Sequence, residues 1–488
     1  MANVVPVLKK GSKTDVENYR PIPLTSLIMK TFERIIKEEM LLHVSEYLDD
    51  RQHGFLSGKS CTTQMVGFCD SLALSLNCDL RTDVVYFDFS KAFDSVNHDI
   101  ILHKLKHLFK IDGRLLKFIA NYLKDRKQRV VIGNSHSSNC KVNSGVPQGS
   151  ILGPILFVMF INDLPEGLSP DTNVSLYADD TKIWCSISCD MDHYELQKDI
   201  DYLNSWASRN KMKFHPRKCK VLSVSQKTEP LLGILPNIQF IYTLGEDLLD
   251  YANSEKDLGV DINTKLNFSD HCNRIYSKAN QMLGLTKRTC YFTTDIRKKR
   301  SLYLALIRNQ FEHCSIIWRP QSKTLLDKFE SIQKRAIKWI LSNEYLSLSN
   351  YTTYIHKCRQ RDFLPLASRF DFTDIIFLYK VINHIVPVQL PNYLKFYEGN
   401  SRLRHCHLDH RSLVVFDEFF QNQTCTRSFK QHFFYRAHSK WNNIPLEIRE
   451  IEILSQFKVK FKNFLWQELF DEISTELTCE QYDLVDHG

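Results

Sequence analysis

The sequence predicts an α+β fold close to a split β-α-β layer, and three observations support this prediction. Residues 84–87 form a compact apolar run suited to a buried strand, and Asp88 follows it directly. Residues 174–184 resemble two strands folded over a tip that carries Asp179 and Asp180. Residues 196–207 then carry an apolar stripe at helical spacing. The order is therefore strand, helix, hairpin and helix, with acids at strand ends.

The other elements follow in chain order. Residues 4–8 are predicted to form a short strand, and from Thr25 a helical pattern places the apolar residues of 27–36 on one face. Asn97 and Asp99 supply a helix start. A loop rich in Gly and Pro opens into a helix near residue 153, and residues 296–317 and 325–341 are basic and amphipathic. We expect domain boundaries near residues 227 and 345.

Length and composition indicate a folded protein of two or three domains, because 488 residues are many for one core. Hydrophobic residues make up 43% and charged residues 25%, which excludes disorder over most of the chain. The net charge of +8 is uneven, since residues 270–341 hold 15 Lys and Arg against 5 Asp and Glu. Such a block binds phosphate backbones or forms a solvated helix face, and composition alone leaves both interpretations open.

Cysteine spacing and apolar runs exclude several other classes of protein. The 14 cysteines are scattered without any C-x-x-C pair, so we expect reduced thiols in a cytoplasmic or nuclear protein. Residues 405–410 include His405, Cys406, His407 and His410, but no second half-site matches them, so zinc there is the minority interpretation. The first ten residues lack a signal-peptide layout, and the longest apolar run, residues 155–161, is too short to cross a bilayer. We expect a soluble protein with no membrane contact.

Three aspartates carry the chemical argument. Asp88 closes an apolar strand, and Asp179 and Asp180 are adjacent at a hairpin tip. Carboxylates beside buried strands are costly unless they are paired or metal-bound, and adjacent acids repel each other. Oxygen ligands favour Mg²⁺, and two such ions roughly 4 Å apart would serve phosphoryl transfer. An isolated Asp-Asp pair is more often a turn or a helix cap, so its context decides.

Three motifs supply that context, namely FDFSKAFD at residues 87–94, SGVPQGSILGP at residues 144–154 and YADD at residues 177–180. In wording, order and spacing they resemble the polymerase motifs of reverse transcriptases from non-LTR (LINE-type, jockey-like) retrotransposons. Residues 11–22, 52–64 and 257–260 resemble flanking segments of the same family, although Pro23 stands where a serine is usual. The resemblance covers residues 4–345.

The resemblance implies a right-hand polymerase fold. Fingers and palm would occupy residues 1–227, a primer grip and a basic helical thumb residues 228–345, and a mostly helical module of unknown role residues 346–488. The implied activity is RNA-directed DNA polymerisation. An RNA template, a DNA primer and dNTPs would be the partners, and two Mg²⁺ ions, or Mn²⁺ in their place, the cofactors. No stable protein partner is evident.

The resemblance also assigns roles within the active site. Asp88, Asp179 and Asp180 would hold the two metal ions, with the Phe89 carbonyl as an extra ligand. Phe93 would lie under the sugar, where its ring clashes with a ribose 2′-OH; a core phenylalanine is the alternative interpretation. Gln148 and Gly149 would contact the incoming nucleotide, the glycine by letting the backbone approach closely.

Basic residues receive weaker assignments. Lys218 matches the lysine proposed to protonate pyrophosphate, although Lys213, Lys220 or a plain surface lysine are alternatives. Arg20, Lys9 and Lys10 are candidates for contact with the triphosphate or the template backbone. The thumb helix would track an RNA–DNA hybrid by its shape and phosphates through a run of four basic residues, Arg297, Lys298, Lys299 and Arg300.

Two further hypotheses stay open from the sequence. One is a catalytically silent remnant that only binds nucleic acid, because full elements carry an endonuclease ahead of the polymerase and we expect that region to be missing here. The other, an intron maturase or a telomerase subunit, fits the wording of residues 90–93 less well. The three aspartates, the Phe93 ring expected under the sugar and the loop at residues 144–154 are all intact, which favours an active polymerase.

Overall fold

The computed structural model of the chain describes residues 2–9, 11–226, 240–342, 348, 350–396, 413–416 and 425–483. The chain divides into two compact units. The first comprises Met1–Gln64 and Leu80–Asn253, and the second comprises Met65–Asp79 and Ser254–Gly488. The boundaries expected near residues 227 and 345 fall among residues outside the described ranges and stay predictions.

The strands are, in chain order, β1 Ala2–Leu8, β2 Tyr19–Leu24, β3 Arg81–Phe87, β4 Arg126–Ile132, β5 Ser135–His136, β6 Cys140–Val142, β7 Asn173–Tyr177, β8 Asp180–Ile187, β9 Lys220–Val224, β10 Thr243–Leu244, β11 Asp247–Leu248, β12 Asp250–Tyr251, β13 Ser254–Asp257, β14 Val260–Asn263, β15 Leu394–Phe396 and β16 Val414–Phe416.

The α-helices are α1 Leu27–Val44, α2 Cys61–Asn77, α3 Ala92–Ser95, α4 His98–His107, α5 Gly113–Leu123, α6 Leu152–Phe160, α7 Asp190–Arg209, α8 Ser269–Thr289, α9 Ile296–Leu302, α10 Asn309–Glu312, α11 Ser315–Trp318, α12 Lys323–Ile340, α13 Tyr351–Gln360, α14 Leu366–Ile382, α15 Arg427–Lys430, α16 Phe433–Asn442, α17 Leu446–Arg449 and α18 Leu454–Asp483. A π-helical segment, Tyr303–Arg308, joins α9 to α10. The predicted mixture of helices and strands is confirmed.

The first unit is organised around a five-stranded sheet of order β12-β9-β3-β8-β7. Its centre, β3, pairs antiparallel with both β8 and β9, and β7 and β8 form the predicted hairpin. A second sheet of order β2-β1-β4-β5, with β6 paired to β4, contains the predicted N-terminal strand. The central sheet is therefore the layer that brings the end of β3 beside the hairpin tip.

Apolar residues from helices and sheet form one core in this unit. Helix α6 is hydrophobic all round and lies buried along its whole length, because it packs at the centre of that core. Helix α7 contributes the predicted stripe through buried Leu196, Ile200 and Leu203. Helix α4 begins as predicted, since the Asn97 side chain accepts from the backbone nitrogens of Asp99 and Ile100 at 3.1 Å each.

Helix α1 differs from the simple amphipathic expectation. Its apolar residues Leu27 and Ile28 are 79% and 84% exposed, whereas Glu33 is 1% exposed. The physical reason is that Glu33 accepts hydrogen bonds from the first backbone amides of α6, so the polar side of α1 faces inward at that point. Hydrophobic periodicity predicted where the helix lies in the sequence, but it did not predict which face of the helix is buried.

The second unit contains the predicted basic helices. Residues 296–317 form α9, the π-helical segment, α10 and most of α11, and residues 325–341 lie almost wholly in α12. Strands β13 and β14 form a hairpin with Leu258 and Gly259 at its tip. Across the described residues, no helix has both the length and the apolar character that crossing a membrane requires.

Candidate active site

The end of β3 lies beside the tip of the β7–β8 hairpin. Phe87 is opposite Thr181 in the antiparallel register, so Asp88 follows next to Asp180 on the neighbouring strand. Opposite residues in such a pair have Cα atoms about 4.5–5.5 Å apart. Asp179 is in the two-residue connection between Tyr177 and Asp180, which are paired. Asp88 is therefore a neighbour in space of Asp179 and Asp180, although about ninety residues of sequence separate it from them.

The hairpin tip is held in place by a segment that the sequence analysis matched without giving it a role. Residues 51–53 pair with Leu176 through two backbone hydrogen bonds, His53 N to Leu176 O at 2.8 Å and Leu176 N to Arg51 O at 3.0 Å. The buried Gln52 side chain then accepts from the Ala178 amide at 2.9 Å and the Gly54 amide at 2.7 Å. Gln52 is thus a positioning residue, because it fixes the backbone immediately before Asp179. The signal for it was the motif at residues 52–55.

Asp88 has a cationic partner. Lys218 Nζ lies 3.3 Å from Asp88 Oδ1, and both side chains are about half exposed, at 53% and 46%. The backbone also joins these regions, since His215 N donates to Asp88 O and Ser90 N donates to Lys213 O, each at 2.8 Å. The predicted proximity of Lys218 to the acids is therefore present in the structure, whereas the Lys220 ammonium donates to Asp250 at 2.7 Å.

The backbone N–H and carbonyl groups of Phe89 point away from residues 213–215. Because Asp88 O and Ser90 N both bond to residues 213–215, the amide groups of Phe89 point to the opposite edge, where β8 lies. The Phe89 ring itself is buried and stacks on Phe214 with ring centroids 4.2 Å apart. The ring anchors the strand end while the carbonyl is directed toward the acids.

The electrostatic environment of Asp179 disfavours its charged form. Burial raises the pKa of the Asp179 carboxyl, and the negative charge of Asp88 raises it further, while Arg20 and Lys9 act in the opposite direction. The sequence-predicted Arg20 and Lys9 are therefore within electrostatic reach of the acids. Lys10 lies outside the described residues. Asp180 is exposed, so its carboxylate is accessible to solvent and solutes.

The loop of residues 144–149 is docked on the segment that follows Asp88. Gly145 N donates to Val96 O and Val146 N donates to Phe93 O, each at 2.8 Å, and the Ser144 hydroxyl donates to Asp94 O at 2.9 Å. Gly145 has φ +87°, and a Cβ there would meet the Asp94 backbone at 2.7 Å, so only glycine allows this approach. The loop and the first motif therefore form one wall of the site.

Phe93, Gln148 and Gly149 lie on this wall. The half-buried Phe93 ring stacks on Phe157 at 4.5 Å and meets Phe55 edge-on at 6.2 Å. Gln148 Nε2 is 3.5 Å from Asp94 Oδ1, a weak contact that leaves the amide accessible. Gly149 has φ +87° and is exposed. The structure brings these three predicted residues together beside the acids' strand.

A buried glutamate supports the loop from below and was missed from the sequence. Glu33 accepts from Ile151 N at 2.6 Å, Leu152 N at 3.2 Å and the Tyr122 hydroxyl at 3.0 Å. A carboxylate on the first amides of α6 satisfies donors that have no partner inside the helix. No local signal marks Glu33, because an acid on a helix ordinarily indicates a solvated position.

In the second unit, the basic run of α9 is only partly exposed. Arg297 and Lys298 are exposed. Lys299 is buried, and its ammonium donates to Trp339 O at 3.0 Å and to Ser342 Oγ at 2.8 Å. Arg300 donates to Arg361 O at 3.2 Å. Lys299 is therefore removed from the predicted four-residue patch, because its ammonium is sequestered, whereas the Arg300 side chain remains 37% exposed.

The donor chemistry of the acids fits a hard divalent cation. Carboxylate and carbonyl oxygens are the ligands that Mg²⁺ prefers, and a cation would offset the repulsion that raises the pKa of Asp179. Among the described residues, no three acidic, His or Cys side chains already surround a common metal position. Lys218 pairs with Asp88 in this conformation, so a metal ion would compete with the lysine ammonium for this carboxylate. The possible zinc ligands from His405 to His410 lie outside the described residues.

Comparison with known proteins agrees with the resemblance drawn from the motifs. Residues 7–262 match the family model described as reverse transcriptase (RNA-dependent DNA polymerase). The chain is 28% identical over 367 residues to the probable RNA-directed DNA polymerase from transposon BS of Drosophila melanogaster, covering 71% of this chain and 38% of that protein. It is 28% identical over 284 residues to the RNA-directed DNA polymerase from mobile element jockey of the same species, covering 56% and 30%.

The chain therefore spans well under half the length of these relatives. A solved structure of apo telomerase from Candida Tropicalis covers 79% of this chain and 66% of that chain, with 11% identity and a TM-score of 0.41, too low to carry an argument about the fold. The family model alone covers more than half of the chain, and the predicted resemblance to non-LTR retrotransposon proteins is confirmed. The chain belongs to the reverse transcriptase family.

Proposed function

We propose that this chain is an RNA-directed DNA polymerase that adds deoxynucleotides to the 3′-OH of a DNA primer on an RNA template. The observation that carries the proposal is the register of β3 and β8, which brings Asp88 beside Asp179 and Asp180 at an accessible tip. Phosphoryl transfer requires positioning and charge neutralisation more than covalent chemistry. The cluster of acids would neutralise charge, and the wall formed by residues 93 and 144–149 would position the nucleotide.

The metal ligands in this proposal are Asp88, Asp179 and Asp180, joined by the Phe89 carbonyl. Two bound Mg²⁺ ions, or Mn²⁺ in their place, would supply Lewis-acid stabilisation of the attacking hydroxyl and of the leaving pyrophosphate. The raised pKa of Asp179 supports the assignment, because a site that disfavours its own negative charge gains most from a cation. The orientation of the Phe89 amide groups toward β8 supports its carbonyl as the fourth donor.

The wall formed by residues 93 and 144–149 would bind the incoming nucleotide. The Phe93 ring cannot move away from the sugar, because Phe157 stacks behind it at 4.5 Å and Phe55 blocks its edge. A ribose 2′-OH would meet this fixed ring, so dNTPs are selected over ribonucleotides. Gln148 and the backbone of Gly149 would contact the sugar and base, and Arg20, which already acts on Asp179, would contact the triphosphate.

Lys218 is assigned as the proton donor to the leaving pyrophosphate. Its ammonium is 3.3 Å from Asp88 and half exposed, so it reaches the acids and solvent from the same position. A general acid must lie within hydrogen-bonding reach of the atom that it protonates. Asp88 would hold a metal ion near the phosphates. Lys218, which contacts Asp88, would therefore lie close to the leaving group.

The finer architecture belongs to the same proposal. We assign residues 1–227 to fingers and palm, 228–345 to primer grip and thumb, and 346–488 to a helical module. The exposed Arg297 and Lys298 of α9 would contact the phosphates of the RNA–DNA hybrid, with weak sequence preference and a strong dependence on salt. No observation favours a catalytically silent chain, since the three aspartates, Phe93 and the loop of residues 144–149 are all present.

Primer extension tests the polymerase assignment. The wild-type chain should extend an oligo(dT) primer on poly(rA) in Mg²⁺, and Asp180→Ala should abolish extension while the circular dichroism spectrum is unchanged, because Asp180 is exposed. Asp171→Ala is the matched control, since Asp171 is also exposed and lies beyond the far end of β7. Extension that survives Asp180→Ala would remove the site assignment.

A further inference from the structure

A cavity of about 260 Å³ lies within the second unit, and Arg300 is among its lining residues. Helices α9, α10, α14 and α18, the π-helical segment and the residues after α13 contribute to its lining. We call it the basic cavity, and its lining residues are Arg300, Leu304, Arg308, Glu312, Asp362, Leu364, Arg369 and Lys462. Its volume is several times the roughly 30 Å³ that one water molecule occupies in the liquid. The basic cavity is thus large enough for a small hydrated ion.

Cations outnumber acids in this lining by four to two, and each acid is shared between two cations. Glu312 Oε1 accepts from Arg308 Nε at 3.1 Å and from Arg369 Nε at 2.9 Å. Asp362 in turn bonds to Lys462 and lies 3.9 Å from an Arg300 terminal nitrogen. Internal ion pairs therefore leave two positive charges without an anion of their own.

The charge surplus is held in a partly desolvated place. The Arg308 side chain is only 7% exposed and its guanidinium lies 5.8 Å from the Phe363 ring centre. Burial lowers the pKa of Arg369, and the nearby charge of Arg308 lowers it further, while Glu312 acts in the opposite direction. Buried charges without partners are costly, and folded proteins ordinarily pair them. A bound anion would remove this cost.

The backbone at the basic cavity has an unusual geometry. Residues 303–308 form a π-helical segment between two α-helical pieces, and both Leu304 and Arg308 belong to it. Such segments are rare and are frequent at functional sites, because the extra residue in the turn redirects side chains. In this chain the π-helical segment carries Arg308, the most buried of the three arginines that line the cavity. Charge and backbone geometry thus point to the same place independently.

We propose that the basic cavity binds a phosphate group. A phosphate monoester or inorganic phosphate carries about −1.5 to −2 charges near pH 7, which matches the surplus of two cations. Arginine pairs bind tetrahedral oxyanions through parallel N–H donors, and the cavity offers two pairs of cations, Arg308 with Arg369 on Glu312 and Arg300 with Lys462 on Asp362. The source is either a free phosphate anion or a phosphate of a bound nucleic acid.

Isothermal titration of the full chain with inorganic phosphate, at constant ionic strength, tests this proposal. We expect saturable binding that Lys462→Gln weakens by about tenfold, the effect of losing one charge-assisted hydrogen bond. Lys460→Gln is the matched control, because Lys460 is exposed on the same helix two residues away and does not line the cavity. Asp362→Asn should strengthen binding, since it removes an acid that is 62% exposed and raises the charge surplus.

A hybrid duplex without terminal phosphates distinguishes the two sources. If the phosphate comes from nucleic acid, Lys462→Gln weakens hybrid binding more than Lys460→Gln does, and inorganic phosphate competes with the hybrid. If the phosphate is free, both variants bind the hybrid equally while only Lys462→Gln loses inorganic phosphate. Either result supports the basic cavity as a phosphate site. Absence of saturable phosphate binding by the folded wild-type chain, or equal binding by both lysine variants, would overturn it.

Discussion

Replacing Gly54 by alanine should displace the acidic hairpin with little effect on the rest of the fold. A Cβ at Gly54 would lie 2.4 Å from the Ala178 nitrogen and 3.0 Å from both the Tyr177 carbonyl carbon and Gln52 Oε1. Ordinary contact begins near 3.4 Å, so the Ala178 backbone must retreat by about 1 Å. Its hydrogen bond to Gln52 would be strained at the same time. Asp179 follows directly, so the displacement reaches the proposed metal ligands.

A misplacement of about 1 Å at reacting groups costs on the order of 10²-fold in rate. We therefore expect Gly54→Ala to lower the kcat of primer extension on poly(rA) about 100-fold, while its urea unfolding midpoint falls by no more than the loss of one hydrogen bond, about 1 kcal/mol, would cause. Gly67→Ala is the control, because Gly67 is in helix α2 with nothing within 4 Å of an added Cβ. That variant should keep its kcat and gain up to about 1 kcal/mol.

If Gly54→Ala extends primers within about threefold of the wild-type kcat and is folded, then the hairpin tip tolerates displacement and the Gln52 contacts do not position the acids. Equal loss of activity in Gly54→Ala and Gly67→Ala would indicate general instability instead.

Three other changes test single residues. Phe93→Val should raise the ratio of kcat/KM for ribonucleotides over that for dNTPs at least tenfold, and an unchanged ratio would mean that Phe93 is only a core residue. Lys218→Gln should lower kcat at least tenfold and also lower the Mg²⁺ concentration for half-maximal rate, while Arg217→Gln, an exposed neighbour, should change neither. Because the pKa of Asp179 is raised in the fold, its contribution to stability is present below the ordinary carboxyl pKa and is lost as pH rises through the raised value. Asp179→Asn should therefore unfold at a higher temperature than wild type at neutral pH without Mg²⁺, and a lower melting temperature would contradict the sign.

The sequence allowed much of the site to be predicted because each of its parts has a local signal. An apolar run closed by Asp88 and the hairpin pattern around Asp179 locate three strands, and strands of this kind pair in few ways. The loop at residues 144–149 was recognisable from its glycines, which the observed φ values require at Gly145 and Gly149. The mixed fold follows from the same signals.

What the sequence could not predict depends on contacts between distant segments. Glu33 is buried because it meets the amide of Ile151, 118 residues later, and no pattern around Glu33 anticipates that helix end. Lys299 resembles part of a basic surface in the sequence, but Trp339 of α12 and Ser342 just after that helix accept hydrogen bonds from its ammonium. Periodicity identifies elements, whereas the assignment of a charged side chain to surface or interior requires the neighbours.

The Asp88–Lys218 ion pair links two parts of the proposed mechanism. In the absence of metal, the lysine offsets the charge of Asp88, while the neighbouring Asp179 carries a raised pKa. Asp88 would hold a metal ion in competition with this ammonium, and Lys218, which lies within reach of Asp88, would then be able to donate a proton to the leaving pyrophosphate. Metal binding and acid catalysis would therefore be coupled through one side chain. The coupling explains why Lys218→Gln is expected to have opposite effects, a lower kcat together with tighter use of Mg²⁺, which a lysine with a purely structural role would not produce.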